Sequence, residues 1–281
     1  MAGDFKNKSV IITGGSEGVG AATARLFAEH GANLFLVARS KKNLERIAEK
    51  LRDKTRVEIC AMDVSDTDAC VNLFKKAEFE FGNINILVNN AGCHERGTVD
   101  TVSVDELGAM IDVNLRAPII LCRLALKYLK QAGDGAIINV ASLAGRTPVP
   151  GAATYCASKA GLRAFTFALG EELRGSGIKL AAVSPGPIDT GFIMSNIDVV
   201  TDITFSQPMS TADEVAEVIL SLVGNNKRER SMPPISGLLT TLTYLFPGLG
   251  RLAQPLLIRR GRSVKRKLKA RMRKMEEEQS A

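Results

Sequence analysis

The sequence contains no tryptophan, two histidines and five cysteines, and aromatic residues make up 5% of its 281 residues. The cysteines are odd in number and scattered, with no Cys-x-x-Cys pair and no pair of histidines at the spacing of metal ligands. We therefore expect a reduced intracellular protein without structural zinc or another metal. Few aromatic residues and 25 glycines are more typical of an α/β protein, with its many strand-to-helix turns, than of an all-β protein.

A long apolar segment is missing from the N-terminus. Met1 is followed closely by Asp4, Lys6 and Lys8, and a glycine soon interrupts the apolar run that comes next. A secretory signal peptide needs an apolar stretch of about 7–15 residues, which this segment does not supply. We therefore expect the body of the protein to be cytoplasmic, with peripheral attachment to the cytosolic face of a membrane as the alternative.

The net charge of +7 belongs to one end of the chain. Residues 251–281 contain eleven lysines or arginines and three glutamates, so this end carries +8 and residues 1–250 carry −1. A nucleic-acid binder needs its cations on a structured face, and a slightly acidic body does not offer one. The charge distribution therefore argues against a nucleic-acid partner.

Short apolar runs alternate with helical patterns over the first 225 residues. Ser9–Thr13 is a β-branched apolar run, and it is followed by a glycine-rich stretch and then by a helical pattern over residues 21–30. Alternation of this kind indicates a doubly wound parallel sheet with right-handed crossovers. Further strands are predicted at 33–38, 57–62, 84–89, 136–140 and 179–184, and further helices at 41–52, 67–81, 104–132, 153–174 and 212–223.

Two features show where this alternating pattern is interrupted and where it ends. Pro118 lies inside the predicted helix 104–132, where it should kink the helix or mark a break. After residue 225 the alternation ends, and residues 235–258 are apolar but interrupted by glycines, prolines and an arginine. We therefore expect one domain over residues 1–225 and an apolar, then basic, extension over residues 226–281.

Three glycines, Gly14, Gly18 and Gly20, stand between the first predicted strand and the first predicted helix. Glycines there allow a tight turn and a close approach of backbone N–H groups to a pyrophosphate at the helix N-terminus. A glycine cluster alone also fits an ordinary strand-to-helix turn. Its position at the first such junction favours a dinucleotide site.

Two residues bear on which dinucleotide binds. The second predicted strand ends at Arg39 with no carboxylate for a ribose 2′-hydroxyl, and a guanidinium can instead pair with a 2′-phosphate. The sequence thus favours NADP(H), and a solvated charge at a strand end is the alternative. Asp63 follows the third strand, where it could accept a hydrogen bond from the adenine amino group or cap the next turn.

Tyr155 and Lys159 are four residues apart and therefore lie on one face of the predicted helix 153–174. A nearby ammonium favours the phenolate and should bring the tyrosine pKa closer to neutral. Such a pair fits proton exchange with an alcohol or carbonyl oxygen, although the spacing alone is more often structural. Ser142 follows a strand at the ligand-binding edge of the sheet, and Asn114 lies in the preceding helix, where it could hold a water that relays protons to Lys159.

Taken together, these motifs resemble the single-domain form of the short-chain dehydrogenase/reductase family over about residues 6–225. The matching motifs are Thr13-Gly-x-x-x-Gly-x-Gly20, Asp63, Asn89-Asn-Ala-Gly92, Asn114, Ser142, Tyr155-x-x-x-Lys159 and Pro185-Gly-x-Ile-x-Thr190. The resemblance implies a Rossmann fold and an NADP(H)-dependent oxidoreductase. Members of the family with an arginine at the position of Arg39 usually prefer NADP(H).

The resemblance also implies a role for each matching residue. Tyr155 would be the general acid in reduction, Ser142 would polarise the carbonyl, Lys159 would bond the ribose and Asn114 would support the proton relay. The cofactor would supply the hydride. The implied cofactor contacts are Gly14, Ser16, Glu17, Gly18, Val19, Gly20, Arg39, Asp63, Val64, Asn90, Ala91, Gly92, Tyr155, Lys159, Pro185, Gly186, Ile188 and Thr190.

Two residues close to these motifs are expected to have no chemical role. His94 follows the Asn-Asn-Ala-Gly motif and could approach a substrate, but a histidine on a surface loop is the preferred interpretation. Cys156 adjoins Tyr155 but points about 100° away around the helix, so we expect it to pack.

The substrate is indicated only by apolar residues near the end of the chain. Residues 191–208 predict an apolar lid over a hydrophobic pocket, which favours a small, lipophilic carbonyl or hydroxy compound. A non-catalytic sensor or scaffold that binds NADP(H) is the alternative function, and the intact Tyr155, Lys159, Ser142 and Asn114 argue against it. A homo-oligomer, formed through the helices that carry Asn114 and Tyr155, is expected from the family.

The extension over residues 226–281 allows several roles. Prolines, glycines and Arg251 argue against a continuous membrane-spanning helix, so shallow attachment to a membrane surface is preferred, with the cations attracted to anionic lipids. A subunit contact, a lid over the site and a flexible solvated tail are the alternatives.

Overall fold

The computed structural model describes residues 5–195 and 197–280, without the side chains of residues 273–280. Met1 and Asp4, on which part of the signal-peptide argument depends, lie outside the described residues. The side chains of Arg273 and Lys274, the last two cations of the basic tail, are also outside the description.

The described residues form nine strands, seven of them in one sheet. The strands are β1 (Ser9–Thr13), β2 (Asn33–Ala38), β3 (Val57–Ala61), β4 (Ile86–Asn89), β5 (Gly135–Val140), β6 (Ile178–Pro185), β7 (Ile188–Asp189), β8 (Ser210–Thr211) and β9 (Glu229–Met232). The sheet order is β3-β2-β1-β4-β5-β6-β9, and every neighbouring pair is parallel. The short strands β7 and β8 pair separately. The predicted doubly wound parallel fold is therefore confirmed.

Ten α-helices are described. They are α1 (Gly18–Glu29), α2 (Lys41–Glu49), α3 (Thr67–Phe81), α4 (Val104–Ile111), α5 (Ala117–Gln131), α6 (Ala153–Glu172), α7 (Gly191–Met194), α8 (Ala212–Gly224), α9 (Pro234–Leu245) and α10 (Pro247–Ser280). Four of them begin at a capping side chain, which satisfies backbone N–H groups that the helix itself leaves free. The caps are Ser40, Asp66, Ser103 and Thr211.

Helices cover both faces of the sheet, so its strands are buried on both sides. Alternate residues of β1 show the division, because Val10 and Ile12 belong to one apolar cluster and Ile11 to the other. The first cluster includes Phe27 of α1 and Ile219 of α8, and the second includes Leu73 of α3. The apolar runs of the sequence thus have the pattern that parallel sheets need.

The predicted helix 104–132 is divided by a π-helical segment, Asp112–Arg116, between α4 and α5. Pro118 lies in the first turn of α5 and has no N–H to donate to the carbonyl of Asn114, four residues earlier. The break expected at this proline is confirmed. Its consequence is that Asn114 lies in a π-turn, a geometry that often occurs at functional sites.

The C-terminal part of the chain is more regular than the sequence suggests. Helix α10 runs through Gly248, Gly250 and Pro255 without a break, but Phe246 separates it from α9, so residues 235–258 do not form one continuous helix. No helix among the described residues is long and apolar enough to cross a membrane. The expected boundary at residue 225 stays a prediction, and strand β9 lies beyond it.

Helix α10 packs against the segment that follows β7. Its Val264, Leu268 and Met272 contact a small apolar cluster of four residues. The cluster consists of Ile193, Ile197, Val200 and Phe205. Ion pairs at the edge join Arg262 to Asp202 at 3.0 Å and Lys269 to Asp198. This part of α10 is therefore docked and is not a flexible tail.

Candidate active site

The loop between β1 and α1 contains two glycines in the left-handed region, Gly14 with φ of 65° and Gly18 with φ of 51°. A Cβ atom on Gly20 would lie 2.0 Å from the Gly14 carbonyl oxygen, so a larger residue does not fit. Glu17 begins α1 without any capping hydrogen bond from its side chain. The helix N-terminus therefore keeps N–H groups for an anion, as a pyrophosphate site requires. Ser16 in this loop and Val19 in the first turn of α1 are both buried.

Asn90 braces this loop from the end of β4. Its Nδ2 atom donates to the carbonyl oxygens of Thr13, at 3.0 Å, and Gly14, at 3.2 Å. The Thr13 hydroxyl accepts from the backbone N–H groups of Asn90 and Ala91, both at 3.0 Å. The predicted cofactor role of Asn90 stays a prediction, and its observed contacts hold the glycine loop in shape.

The residues expected near the adenosine lie at the ends of β2 and β3. Arg39 is exposed, and Val64 is buried beside Asp63. Asp63 Oδ1 accepts from the N–H of Ser65 at 2.9 Å and from its hydroxyl at 2.8 Å, which is the turn-capping alternative. The Ser65 N–H lowers the pKa of Asp63 against the effect of burial, and the charge of Arg39 lowers it further.

Lys159 lies buried one turn after Tyr155 on α6. Its Nζ atom donates to the carbonyl oxygen of Val140 at 2.9 Å and lies 5.9 Å from the centroid of the Tyr155 ring. Burial lowers the pKa of Lys159 to about 8. The predicted pair is therefore present on one face of the helix.

Ser142 completes the group from the end of β5. Its hydroxyl accepts from Ala144 N–H at 3.1 Å and starts the 3₁₀ turn Leu143–Gly145. Burial raises the pKa of the Tyr155 phenol, and a hydrogen bond with Ser142 and the charge of Arg96 oppose this effect. The expectation that a cation brings this pKa below its usual value is wrong, because burial raises the pKa by more than the hydrogen bond and the charge lower it. The phenol therefore keeps its proton at neutral pH.

Asn114 is fully buried, and its side chain is engaged by neighbouring protein groups. Its Oδ1 accepts from Cys93 N–H at 2.9 Å, and its Nδ2 donates to Cys93 O at 2.8 Å and to Ser158 Oγ at 3.2 Å. A Cβ atom on Gly92 would lie 3.0 Å from Asn114 Oδ1 and 3.5 Å from Lys159 Nζ. Asn114 thus joins the loop after β4 to α6 next to Lys159. Its support of a proton relay stays a prediction.

The predicted residues Pro185, Gly186, Ile188 and Thr190 lie at and after the end of β6, and Thr190 faces the glycine loop. A Cβ atom on Gly18 would lie 3.5 Å from Cγ2 of Thr190, which brings the two loops together. Gly186 N–H donates to Met232 O at 2.8 Å, so β9 fixes the start of this segment. Its contacts with the nicotinamide end stay predictions.

Sequence reasoning missed Arg96 at this site, gave His94 no chemical role and placed Phe192 only within the predicted lid. The His94 ring lies 4.0 Å from the Tyr155 ring, centroid to centroid, at an interplanar angle of 7°. The Phe192 centroid lies 6.5 Å from that of Tyr155. The expectation that His94 is a surface histidine is wrong, and burial together with the charges of Arg96 and Lys159 lowers its pKa to about 3. Its position after the Asn-Asn-Ala-Gly motif was the available signal.

A small cleft beside Tyr155 is lined by several apolar side chains, together with Glu95 and Thr154. The apolar side chains include Val99, Val102, Leu107 and Met110. In the predicted lid, Phe192 contacts the tyrosine side of the site, whereas Ile193, Ile197, Val200 and Phe205 are packed under α10. The lid is thus partly a buried cluster. Cys156 packs as expected, with Sγ 3.8 Å from the Thr147 carbonyl oxygen.

Comparison with known proteins identifies relatives of this fold and site. A family model described as short chain dehydrogenase matches residues 8–198. The chain is 37% identical over 186 residues to the 3-oxoacyl-[acyl-carrier-protein] reductase FabG of Chlamydia muridarum, which covers 66% of this chain and 75% of the relative. It is 38% identical over 189 residues to an uncharacterized oxidoreductase of Staphylococcus saprophyticus, covering 66% and 76%.

A further relative shows how far the likeness extends. An uncharacterized oxidoreductase of Staphylococcus aureus is 30% identical over 229 residues, covering 82% of this chain and 98% of the relative. Nearly the whole relative is matched, so part of this chain has no counterpart in it. Helices α9 and α10 lie beyond the residues that the family model matches.

Proposed function

This chain belongs to the short chain dehydrogenase family, and from that premise we propose that it transfers a hydride between NADP(H) and the carbonyl or secondary alcohol of a lipophilic compound. Family membership makes it an oxidoreductase that acts on CH–OH or C=O groups and binds a nicotinamide cofactor. The observation that carries the finer proposal is the meeting of Ser142, Tyr155 and Lys159 beside a small cleft bordered by Val99, Val102, Leu107 and Met110.

The protonation states suit the reduction of a carbonyl. Tyr155 holds its proton at neutral pH and can donate it to the carbonyl oxygen, while the Ser142 hydroxyl holds the same oxygen. The cofactor supplies the hydride. Lys159, fixed by the Val140 carbonyl next to the phenol, is placed to bond the ribose and to replace the proton that Tyr155 gives up.

The residues around the glycine loop fit a nicotinamide dinucleotide. Only a residue without a side chain fits at Gly20, and Gly14 and Gly18 have positive φ angles at the uncapped start of α1. A pyrophosphate would be held there by backbone N–H groups, and Lys159 and Thr190 would border the nicotinamide end. The cofactor contacts named from the sequence therefore remain those we propose.

The proposed preference for NADP(H) depends on the residues that follow β2. The four residues that follow this strand are Arg39, Ser40, Lys41 and Lys42, so the chain supplies three cations and no carboxylate at this strand end. An exposed guanidinium pairs well with a phosphate, and the carboxylate of Asp63, which follows β3, lies near enough to interact with Arg39.

The proposed substrate is a lipophilic ketone or secondary alcohol. The cleft beside Tyr155 is apolar on the side of α4, and Phe192 adds an aromatic wall. The relative from Chlamydia muridarum is named as a reductase of 3-oxoacyl groups carried on a protein. A medium-chain 3-oxoacyl thioester is therefore the first substrate to assay.

The partner that we propose for the extension is an anionic membrane surface. Ten large apolar side chains of α9, residue 246 and the start of α10 are exposed, and cations follow them along α10. The exposed residues are Ile235, Leu238, Leu239, Leu242, Tyr244, Leu245, Phe246, Leu249, Leu252 and Leu256. We expect the protein to sediment with vesicles that contain phosphatidylglycerol, and the variant Leu238→Glu/Leu252→Glu to sediment less. Equal sedimentation of the wild-type protein with vesicles of pure phosphatidylcholine would argue against an anionic membrane surface as the partner.

The catalytic proposal is tested by NADPH oxidation with a 3-oxodecanoyl thioester. Tyr155→Phe removes the proton donor and keeps the ring, so kcat should fall by about 10²- to 10⁴-fold while NADPH still binds. Turnover that survives this change would overturn the catalytic assignment and favour a non-catalytic NADP(H)-binding sensor or scaffold.

We also propose a homo-oligomer, formed through the helices that carry Asn114 and Tyr155. Sedimentation velocity on the same protein measures its mass in solution and so tests this proposal.

A further inference from the structure

The loop after β4 carries a cation that the proposed proton transfer does not use. Arg96 is partly buried, and its guanidinium carbon lies 5.9 Å from the centroid of Phe192. Burial lowers the pKa of Arg96, whereas the nearby Tyr155 and Glu95 raise it. Arg96 therefore lies on the substrate side of the site, close to the phenol.

Arg96 has no ion-pair or hydrogen-bond partner among the side chains that the structure describes. It takes part in none of their ion pairs, and its buried Nε atom has no hydrogen-bond partner. A guanidinium offers five N–H donors in a planar fork that matches a carboxylate or phosphate. A partly buried and unpaired guanidinium is costly, so we expect an external anion to complete it.

His94 offers a second nitrogen without a hydrogen-bond partner, close to Arg96. The Nε2 atom of His94 is buried and has no hydrogen-bond partner among the described residues, although the ring itself is stacked on Tyr155. The ring centroids of His94 and Phe192 are 6.4 Å apart. His94 is neutral near pH 7, so its Nε2 can carry the proton needed to bond an anionic oxygen.

Both ends of this loop are fixed before any ligand binds. Cys93 is bonded to the Asn114 side chain through its N–H and its carbonyl, at 2.9 and 2.8 Å. Gly97 N–H donates to the carbonyl oxygen of Gly151 at 3.2 Å. The loop therefore presents His94 and Arg96 in a set geometry, which limits the entropy lost when a ligand binds.

We propose that Arg96 and His94 form an anion subsite, which binds a carboxylate or phosphate group of the substrate a few bonds from the carbonyl that Tyr155 protonates. The inference rests on the proposed function and narrows it. The substrate class becomes an amphiphilic oxo compound, with an anionic group at Arg96 and an apolar chain along the side chains of Val99, Val102, Leu107 and Met110, which border the small cleft beside Tyr155.

The test uses three oxodecanoates, with the keto group on carbon 3, 4 or 5, and their methyl esters as matched neutral substrates. Steady-state rates with NADPH are measured for wild type, Arg96→Gln and Arg96→Lys. The control is Arg46→Gln, which removes the same charge from an exposed position on α2. The ratio of kcat/KM for each acid to that for its ester cancels any general effect of Arg96 on Tyr155.

Wild type should prefer at least one acid to its ester. Arg96→Gln should lower that ratio by about tenfold or more, mainly through KM, which corresponds to about 1.4 kcal/mol. Arg96→Lys should restore part of the ratio, and Arg46→Gln should leave it unchanged. A ratio that is unaffected by Arg96→Gln overturns the subsite. So does an equal weakening of NADPH binding, because Arg96 would then be a cofactor contact.

Failure of the proposed function has a different signature. If wild type reduces neither acids nor esters, turnover is absent, and the subsite is decided by calorimetric titration of decanoate into the enzyme with NADP⁺. Binding that is lost in Arg96→Gln and kept in Arg46→Gln supports the anion subsite. Equal binding in wild type and Arg96→Gln, or no binding, overturns it.

Discussion

The imidazole of His94 lies flat against the phenol ring of Tyr155, with the ring centroids 4.0 Å apart and the planes 7° apart. The stack fixes the orientation of the ring whose hydroxyl meets Ser142. Aromatic pairs of this kind contribute about 0.5–1.5 kcal/mol beyond their buried area. The positioning of the proton donor therefore depends on a residue that makes no contact with the reacting oxygen.

Replacing His94 with alanine should lower kcat for a neutral ketone by about two- to tenfold, because the phenol loses the ring that holds it. His94→Phe keeps a flat ring and should recover most of the rate. The measurement is steady-state reduction of methyl 3-oxodecanoate with NADPH. Equal kcat in wild type and His94→Ala would show that the stack does not position Tyr155.

Arg39 should decide between the two nicotinamide cofactors. Arg39→Ala removes the only arginine at the end of β2 and should weaken NADPH binding by about tenfold or more, with little change for NADH, because the lost partner is a 2′-phosphate. Fluorescence titration of both cofactors measures the two constants. A similar loss for both cofactors would mean that Arg39 does not contact the 2′-position.

The buried ammonium of Lys159 predicts a pH dependence of stability. Its pKa is about 8 in the folded protein and 10.5 when exposed, so between these values the unfolded chain binds more protons than the folded one. The unfavourable contribution of Lys159 is thus present in full below pH 8 and disappears as the pH rises towards 10.5. Over that range wild type should gain about 3 kcal/mol in unfolding free energy relative to Lys159→Met.

Urea titrations of wild type and Lys159→Met at pH 7 and pH 10 test this prediction. Taking the difference between the two proteins removes the titration of other groups that they share. A difference that is the same at both pH values would mean that Lys159 is not desolvated in the folded protein.

The docking of α10 depends on one glycine. A Cβ atom on Gly261 would lie 1.8 Å from the backbone oxygen of Asp202, so Gly261→Ala must displace the helix from the segment after β7. We expect the Tm to fall by about 3–10 °C and trypsin to cleave α10 faster, since overpacking costs about 1–3 kcal/mol.

Gly248 is the matched control on the same helix. A Cβ atom there meets no atom within 4 Å, and alanine favours a helix over glycine by about 0.8–1.0 kcal/mol, so Gly248→Ala should keep or raise the Tm. Equal effects of the two substitutions would show that the contact between Gly261 and Asp202 does not hold α10 in place.

The sequence predicts most of the sheet because the central strands are short apolar runs with glycine or aspartate at their ends. Strand β9 has no such signal, since its residues are Glu, Arg, Ser and Met. Its position is set by partners far away in the chain: Glu229 pairs with Arg146 and Arg163, each at 2.9 Å, and accepts from Ser184 at 2.7 Å. Burial would raise the pKa of Glu229, but these partners bring it below its usual value.

The candidate site also contains residues that the sequence predicts and residues that it does not. Tyr155 and Lys159 are predictable because helical spacing alone puts them on one face. The stacking of His94 and the partial burial of Arg96 depend on how the loop after β4 folds back over α6, and no periodic pattern describes a loop. The docking of α10 is not predictable either, because it depends on the close approach of Gly261 to the backbone of Asp202, which no pattern in the sequence describes.

The position of Glu229 has a consequence for anyone who wishes to shorten this chain. The family model ends at residue 198 and the regular alternation ends near residue 225, so a truncation just after α8 would look harmless. Such a cut would take away the carboxylate that lies between Arg146 and Arg163 and leave two guanidinium groups facing each other next to the turn that carries Ser142. The smallest active fragment should therefore extend at least through β9.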